Sequence, residues 1–297
     1  MRRHLVLPRR GTLLVSTDVH GNHADFARVE AIFREERARE PETHWVILGD
    51  VVHAPDPSAR RNVPQLYDYD DGSIAIVDGI LALEREHEGH VHFVLGNHDH
   101  GHVGGPHTQK FYADEVTSLE DGLSAPQRTR LRELFARALL AVVAPCGILM
   151  THGSPDASFT KLEDLDGVPL DIRAMSAPQA RMLRALLTSY GQTDPVCKEM
   201  LGNVSRAAGL DLRVVVHGHD RDEKGFFREG AHQVCPVIFG APHRNKRYVK
   251  LDLAARYDGA EALRDGFEIL RLHPDVPEPV LVRSPLDTIP PEGTRGL

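Results

Sequence analysis

Five short apolar runs between residues 12 and 219 each stop at a polar cluster able to bind a metal, and that repetition constrains the fold most tightly. TLLVSTDV (12–19) carries Asp18, with His20 just after the run, and HWVILGDVV (44–52) carries Asp50. HVHFVLGN (90–97) ends on Asn97, followed by His98 and Asp99. GILMTHG (147–153) carries His152, and LRVVVHG (212–218) carries His217, with His219 two residues on. Each run is rich in β-branched residues, short and bounded by turn-forming residues, the pattern of a buried strand.

Helical periods fill the intervals. HADFARVEAIFREERARE (23–40) places Phe26, Val29, Ile32 and Phe33 on one face, and SIAIVDGILALERE (73–86) behaves similarly. Further helices are predicted near 125–142, 178–189 and 196–208. FFREG, PVIFGAP, RYVKLDL and FEILRLH then read as successive strands. Strands alternating with helices, then a run of strands, predict an α/β fold of mixed sheets flanked by helices. No linker divides the chain, so one domain is expected over 1–297, with a proline-rich tail from about 274. Residues 54–72 read as a long loop. GNHDHGHVGG (96–105) reads as a turn, His100, His102 and the following His107 as solvated, and Asp68, Asp70 and Asp71 as a solvated turn.

In open α/β sheets, ligands gather at the carboxyl ends of strands. Any one of these clusters alone would be an ordinary turn or cap; five in one chain amount to a prepared cation site. Asp18 and His20, two apart at a strand end, are expected to project to one side. Gly21 and Gly49 keep the turns small. Asp50 stands between two groups of ligands, where a carboxylate can bridge two cations about 3.5–4 Å apart. Asn97 offers a neutral carbonyl oxygen, and His152 and His219 offer imidazole nitrogens suited to Zn, Fe or Mn. Water shared by two such metals is a hydroxide nucleophile near neutral pH.

The net charge of -8 argues against nucleic acid as a partner, although bound metals can create a local positive field for a phosphorylated substrate. Cys146, Cys197 and Cys235 form no CxxC pair, so neither a disulfide framework nor a cysteine zinc site is expected, and a reducing, cytoplasmic compartment fits. MRRHLVLPRR lacks the apolar core of a secretory signal, and no run of about 18 apolar residues predicts a membrane span.

Taken in order, DVHGN, LGDVV, LGNHD, MTHG and HGH resemble the calcineurin-like metallophosphoesterase superfamily over about residues 12–250. HGHDRDEKGFF (217–227) and PVIFGAP (236–242) resemble its serine/threonine protein phosphatase branch. That resemblance implies a four-layer α/β/β/α sandwich and a phosphatase that cleaves phosphate monoesters by attack of a metal-bridging hydroxide. It implies two divalent or trivalent ions (Mn, Fe or Zn), one held by Asp18, His20 and Asp50, the other by Asp50, Asn97, His152 and His219. His98 would be the general acid and would hold the phosphate with Asn97. His219, not His217, aligns with the branch's ligand, and Arg221 stands where many other branches have a second histidine.

The chain also departs from that branch. His53-Ala54-Pro55 replaces Asp-Arg-Gly, which removes the aspartate partner of the acid and a phosphate-binding arginine. The branch's active-site tyrosine falls at Arg244, and a second phosphate-binding arginine has no match between His152 and His219. Arg244 is therefore the expected phosphate ligand, with Arg60, Arg61 and Arg221 as alternatives. The substrate expected is a phosphorylated protein or small molecule. Two other readings stay open: a phosphodiesterase or nucleotide pyrophosphohydrolase related to dinucleoside tetraphosphatases, and a metal-loaded binding protein that has lost catalysis.

Overall fold

A computed structural model describes residues 1–275, so the expected tail lies outside the described residues from 276 onward. The strands are β1 (His4–Val6), β2 (Thr12–Ser16), β3 (Thr43–Ile47), β4 (Val91–Phe93), β5 (Ala141–Ala144) and β6 (Ile148–Thr151). They continue with β7 (Val214–His217), β8 (Phe226–Glu229), β9 (Gln233–Pro236), β10 (Arg247–Asp252) and β11 (Ile269–Arg271). One sheet has the order β1-β5-β6-β7-β9-β8, the other β11-β10-β2-β3-β4. Both are mixed: β2, β3 and β4 run parallel while β10 is antiparallel to β2, and β6, β7 and β9 run parallel while β5 is antiparallel to β6 and β8 to β9; β1 runs parallel to β5.

The period-two geometry of a strand explains the layering. Leu13 and Val15 of β2 pack with Ile148 and Met150 of β6 and Val214 and Val216 of β7 in one core between the sheets. The alternate residues Leu14, Leu149 and Val215 belong to a second core that includes the helices. Against β2 and β3 lie Phe26, Val29 and Phe33 of the helix His23–Arg39 and Ile76, Val77 and Ile80 of the helix Ser73–Glu86. Leu183 and Leu186 of the helix Ala177–Thr188, with Met200 and Val204 of Asp194–Ala208, extend this core. Strands buried on both faces must be apolar throughout, which is why the runs do not alternate. Among the described residues no helix is long and apolar enough to cross a membrane.

Several local expectations are corrected. The interval 54–72 contains two short helices, Pro57–Asn62 and Pro64–Tyr67, the first started by the Asp56 side chain, which accepts from Ala59 N. GNHDHGHVGG is not a turn: Asn97–His100 and Gly101–Val103 are helical, and His100 and His102 are buried rather than solvated. The helix expected to reach residue 142 stops at Ala136, and residues 141–144 become β5. Only Pro236 of PVIFGAP belongs to a strand, and β1 and the helix Glu115–Asp121 were not expected. The last two are too short or too polar to show a period.

Candidate metal centre

The carboxyl ends of β2, β3 and β4 meet those of β6 and β7, so the two sheets contribute to one edge. Backbone bonds knit these ends together: Asp18 N donates to Gly49 O at 3.1 Å, His20 N to Asp50 O at 2.9 Å, and Gly218 N to His152 O at 2.7 Å. His219 N crosses between the sheets to donate to Asp18 Oδ2 at 3.0 Å.

Among the described residues, the non-glycine positions with positive φ are Asp18 (46°), His20 (42°), Asp50 (51°), His53 (69°) and His219 (71°). Left-handed backbone at a residue with a Cβ costs on the order of 1–3 kcal/mol, so its concentration at one edge marks a strained functional region. Two glycines let the loops close. A Cβ on Gly96 would collide with the Asp50 backbone and carboxylate, and one on Gly218 would collide with Thr17 and Asp18.

Two groups of ligand atoms result, and Asp50 belongs to both: His20 with Asp50 and His98, and Asp50 with His152 and His219. Asp50 Oδ2 lies 3.4 Å from His152 Nε2, 3.7 Å from His20 Nε2 and 4.0 Å from His98 Nε2. Asp18 Oδ1 lies 4.0 Å from His20 Nε2. Asn97 Oδ1 is 3.0 Å from His152 Nε2 and 2.9 Å from His219 Nδ1. Thus Asp18, His20, Asp50, Asn97, His152 and His219 converge on one edge.

The donor set fits cations. His152 Nδ1 lies 2.6 Å from the Leu48 carbonyl, which only accepts, so Nδ1 carries a proton and Nε2 faces the oxygens of Asp50 and Asn97. A bare lone pair against two oxygens is repulsive unless a proton or a cation lies between them. Burial alone would push His152 down, but the adjacent Asp50 carboxylate reverses this and lifts it to about 10. Burial also pushes the Asp18 carboxyl up to about 6, with His152 opposing. Lys110 acts as a stand-in cation: its ammonium donates to His20 Nε2 at 3.3 Å. Burial and that ammonium hold His20 well below its usual range.

His98 has a carboxylate partner after all, from an unexpected element. Glu115, at the start of the helix Glu115–Asp121, is fully buried, and its Oε2 lies 3.2 Å from His98 Nδ1. The contact is an ion-pair distance rather than an aligned hydrogen bond, since Oε2 makes none among the described residues. Burial would raise the Glu115 carboxyl, but His98 outweighs it and the group falls to about 2. His53 stands beside them: its Nδ1 is 3.1 Å from His98 Nδ1, and its Nε2 is 2.9 Å from His102 Nε2. His102 Nδ1 then meets Glu120 Oε1 at 2.9 Å. A chain of buried imidazoles therefore runs from His98 towards the surface. Asp99 fixes the loops themselves, accepting from Asp50 N (2.7 Å), Val51 N (3.1 Å) and Gly96 N (3.0 Å).

A cavity of about 410 Å³ opens here, lined by Asp50, His98, Lys110, Tyr190, His219, Asp220 and Arg221. Lys110 also stacks over Phe239, 4.3 Å from the ring centroid, and Arg221 reaches Tyr67 Oη at 3.4 Å. Arg244 does not line this cavity; it lies half-buried in the single turn His243–Asn245. Arg60 pairs with Asp70 at 2.8 Å. Sequence reasoning missed Lys110 and Glu115 because both lie between motifs, in a segment without hydrophobic period.

Comparison with known proteins matches residues 11–221 to the calcineurin-like phosphoesterases. Among solved structures, a protein serine/threonine phosphatase from Saccharomyces cerevisiae is similar, with a TM-score of 0.58 at 15% identity, covering 84% of this chain and 77% of that one. A cold-active protein-tyrosine phosphatase from a psychrophilic Shewanella species gives a TM-score of 0.55 at 12% identity, covering 86% and 78%. At such identities the likeness is one of fold.

Proposed function

The chain belongs to the calcineurin-like phosphoesterases, a metal-dependent family of phosphoric ester hydrolases, and on that premise we propose that it is a phosphomonoesterase working with two cations. Asp18, His20 and Asp50 would hold one ion, and Asp50, Asn97, His152 and His219 the other. The observation that carries this reading is Asp50, whose carboxylate is common to both groups of ligand atoms. The bound ions, Mn, Fe or Zn by the donor chemistry, would polarise the phosphoryl group and acidify water.

The chain's own residues do the rest. Asp50 Oδ1 accepts from His98 N at 2.9 Å, which fixes the acid beside the ligand set. Glu115 and His53 hold His98 Nδ1, leaving Nε2 towards Asp50, so a proton at Nε2 is placed for a departing alkoxide. Lys110 and Arg221 line the cavity and would take the place of the missing arginine on the phosphoryl oxygens. Asn97 and His98 would share that role. The substrate would be a phosphorylated protein or small molecule.

Metal analysis coupled to turnover tests this directly. The protein is expected to hold two ions per chain and to cleave p-nitrophenyl phosphate faster than its bis ester. Asp50→Asn should lose both metal occupancy and activity. Wild-type metal content and turnover in Asp50→Asn would end the two-ion reading, and preference for the bis ester would move the chain to the phosphodiesterases.

A further inference from the structure

We propose that the chain binds a further divalent cation of the zinc type between His217, Asp220 and Cys235, behind the centre described above. β7 and β9 are parallel neighbours in register, Val216 beside Val234. Those valines fill the space between the sheets. The next residues along, His217 and Cys235, therefore stand side by side on the opposite face. Asp220 enters from the turn after His219, and a nitrogen, an oxygen and the sulfur of the three side chains lie within 4.8 Å of one another.

Two of these side chains carry an orphaned atom. His217 is fully buried, and among the described residues neither its Nε2 nor the buried Asp220 Oδ2 has a hydrogen-bond partner. His217 Nδ1 lies 3.0 Å from the Gly218 carbonyl and so carries the ring proton, which leaves Nε2 as a bare, buried lone pair. Cys235 Sγ faces the carbonyls of Gly218 and Pro236, at 3.7 and 3.6 Å. Buried polar atoms are almost always paired, so two exceptions on side chains of one cluster point to a bound group.

Sulfur, imidazole and carboxylate form a set that favours Zn²⁺ and its neighbours over Mg²⁺ or Ca²⁺. Bonds of about 2.3 Å to sulfur and about 2.0–2.1 Å to nitrogen need only small side-chain adjustments, and a fourth position stays open. On binding, the Cys235 S–H bond breaks, its proton passes to solvent, and the sulfur pair forms the bond to the cation. No CxxC spacing announces this site, because its ligands come from adjacent strands rather than adjacent residues. It also braces the chain that carries His219.

Cobalt separates this site from the other. Metal-free protein is titrated with Co²⁺ alone and followed by near-ultraviolet absorption and equilibrium dialysis. The ligands Asp18, His20, Asp50, Asn97, His152 and His219 include no sulfur, so thiolate-to-cobalt charge transfer reports the proposed site only. The band is expected in the wild type, in Asp50→Asn and in Cys146→Ser and Cys197→Ser. It should vanish in Cys235→Ser, with one Co²⁺ fewer bound, and weaken severalfold in His217→Ala. A saturated wild type without the band, or an unchanged band in Cys235→Ser, overturns the proposal. The wild-type spectrum decides even where a variant does not fold. Activity plays no part in the readout, so failure here leaves the phosphoesterase reading standing.

Discussion

Single residues decide how the chain departs from its nearest pattern. The branch it resembles pairs its acid with an aspartate three residues after Asp50; here His53 stands there and Glu115 supplies the carboxylate from another element. If His98 is the acid, His98→Ala should slow alkyl phosphates by roughly 10²–10⁴-fold and aryl phosphates much less, since a phenolate leaves unaided. Glu115→Gln keeps the shape and removes the charge, so it should show the same leaving-group pattern with a smaller loss. Steady-state kinetics on matched esters checks both, and equal losses on the two ester classes would reduce the pair to a packing role. Lys110 carries a second prediction. A charge-assisted hydrogen bond of about 1.5–3 kcal/mol to a phosphoryl oxygen corresponds to a fall in kcat/KM of at least about tenfold in Lys110→Ala. Lys110→Arg should recover part of it, and Arg244→Ala should change little. The reverse ranking would return the phosphate to Arg244.

Elements matter here mainly through how they end. Asp18 and His20 lie beyond the last residue of β2, and the side they share comes from left-handed backbone at both, not from strand alternation. The helix Asn97–His100 begins hard against the loop after β3, and Gly96 is the contact. Gly96→Ala would drive a methyl group into Asp50, at a cost of about 1–3 kcal/mol if the loop yields. The β3 strand should survive and the metals should not. Circular dichroism beside metal analysis tests this: full metal content in a folded Gly96→Ala protein would show that the loop tolerates the shift. The helix Glu115–Asp121 belongs to the same class of feature, short and polar but carrying a buried carboxylate.

Across the whole molecule, the proposed ligands come from both sheets, so cations held there would tie the two halves of the sandwich together. Binding to the native state alone stabilises by about 2.7 kcal/mol at a hundredfold excess over Kd. Metal addition to chelator-treated protein should therefore raise Tm, and Asp50→Asn should abolish most of that rise. A Tm indifferent to metal would mean that the edge is occupied without linking the sheets.

The α/β class, the long helices such as Ser73–Glu86, and the polar clusters at the ends of β2, β3, β4, β6 and β7 are legible in the sequence. Each depends on local pattern: an apolar period, a turn residue, a polar cluster at the end of a run. Pairing is not local. The sequence shows His53 where an aspartate was expected, but only the fold brings Glu115, from a separate helix, to His98. Lys110 beside His20 and His217 beside Cys235 are likewise joined only in three dimensions. Short strands such as β1 and β5 are too brief to carry a period and form because a partner strand accepts their hydrogen bonds. The sequence by itself specified which groups could bind a metal and roughly where the chain would present them. The tertiary structure decided which groups share a proton, a charge or a cation, because those interactions act through space over a few ångströms and take no account of separation along the chain.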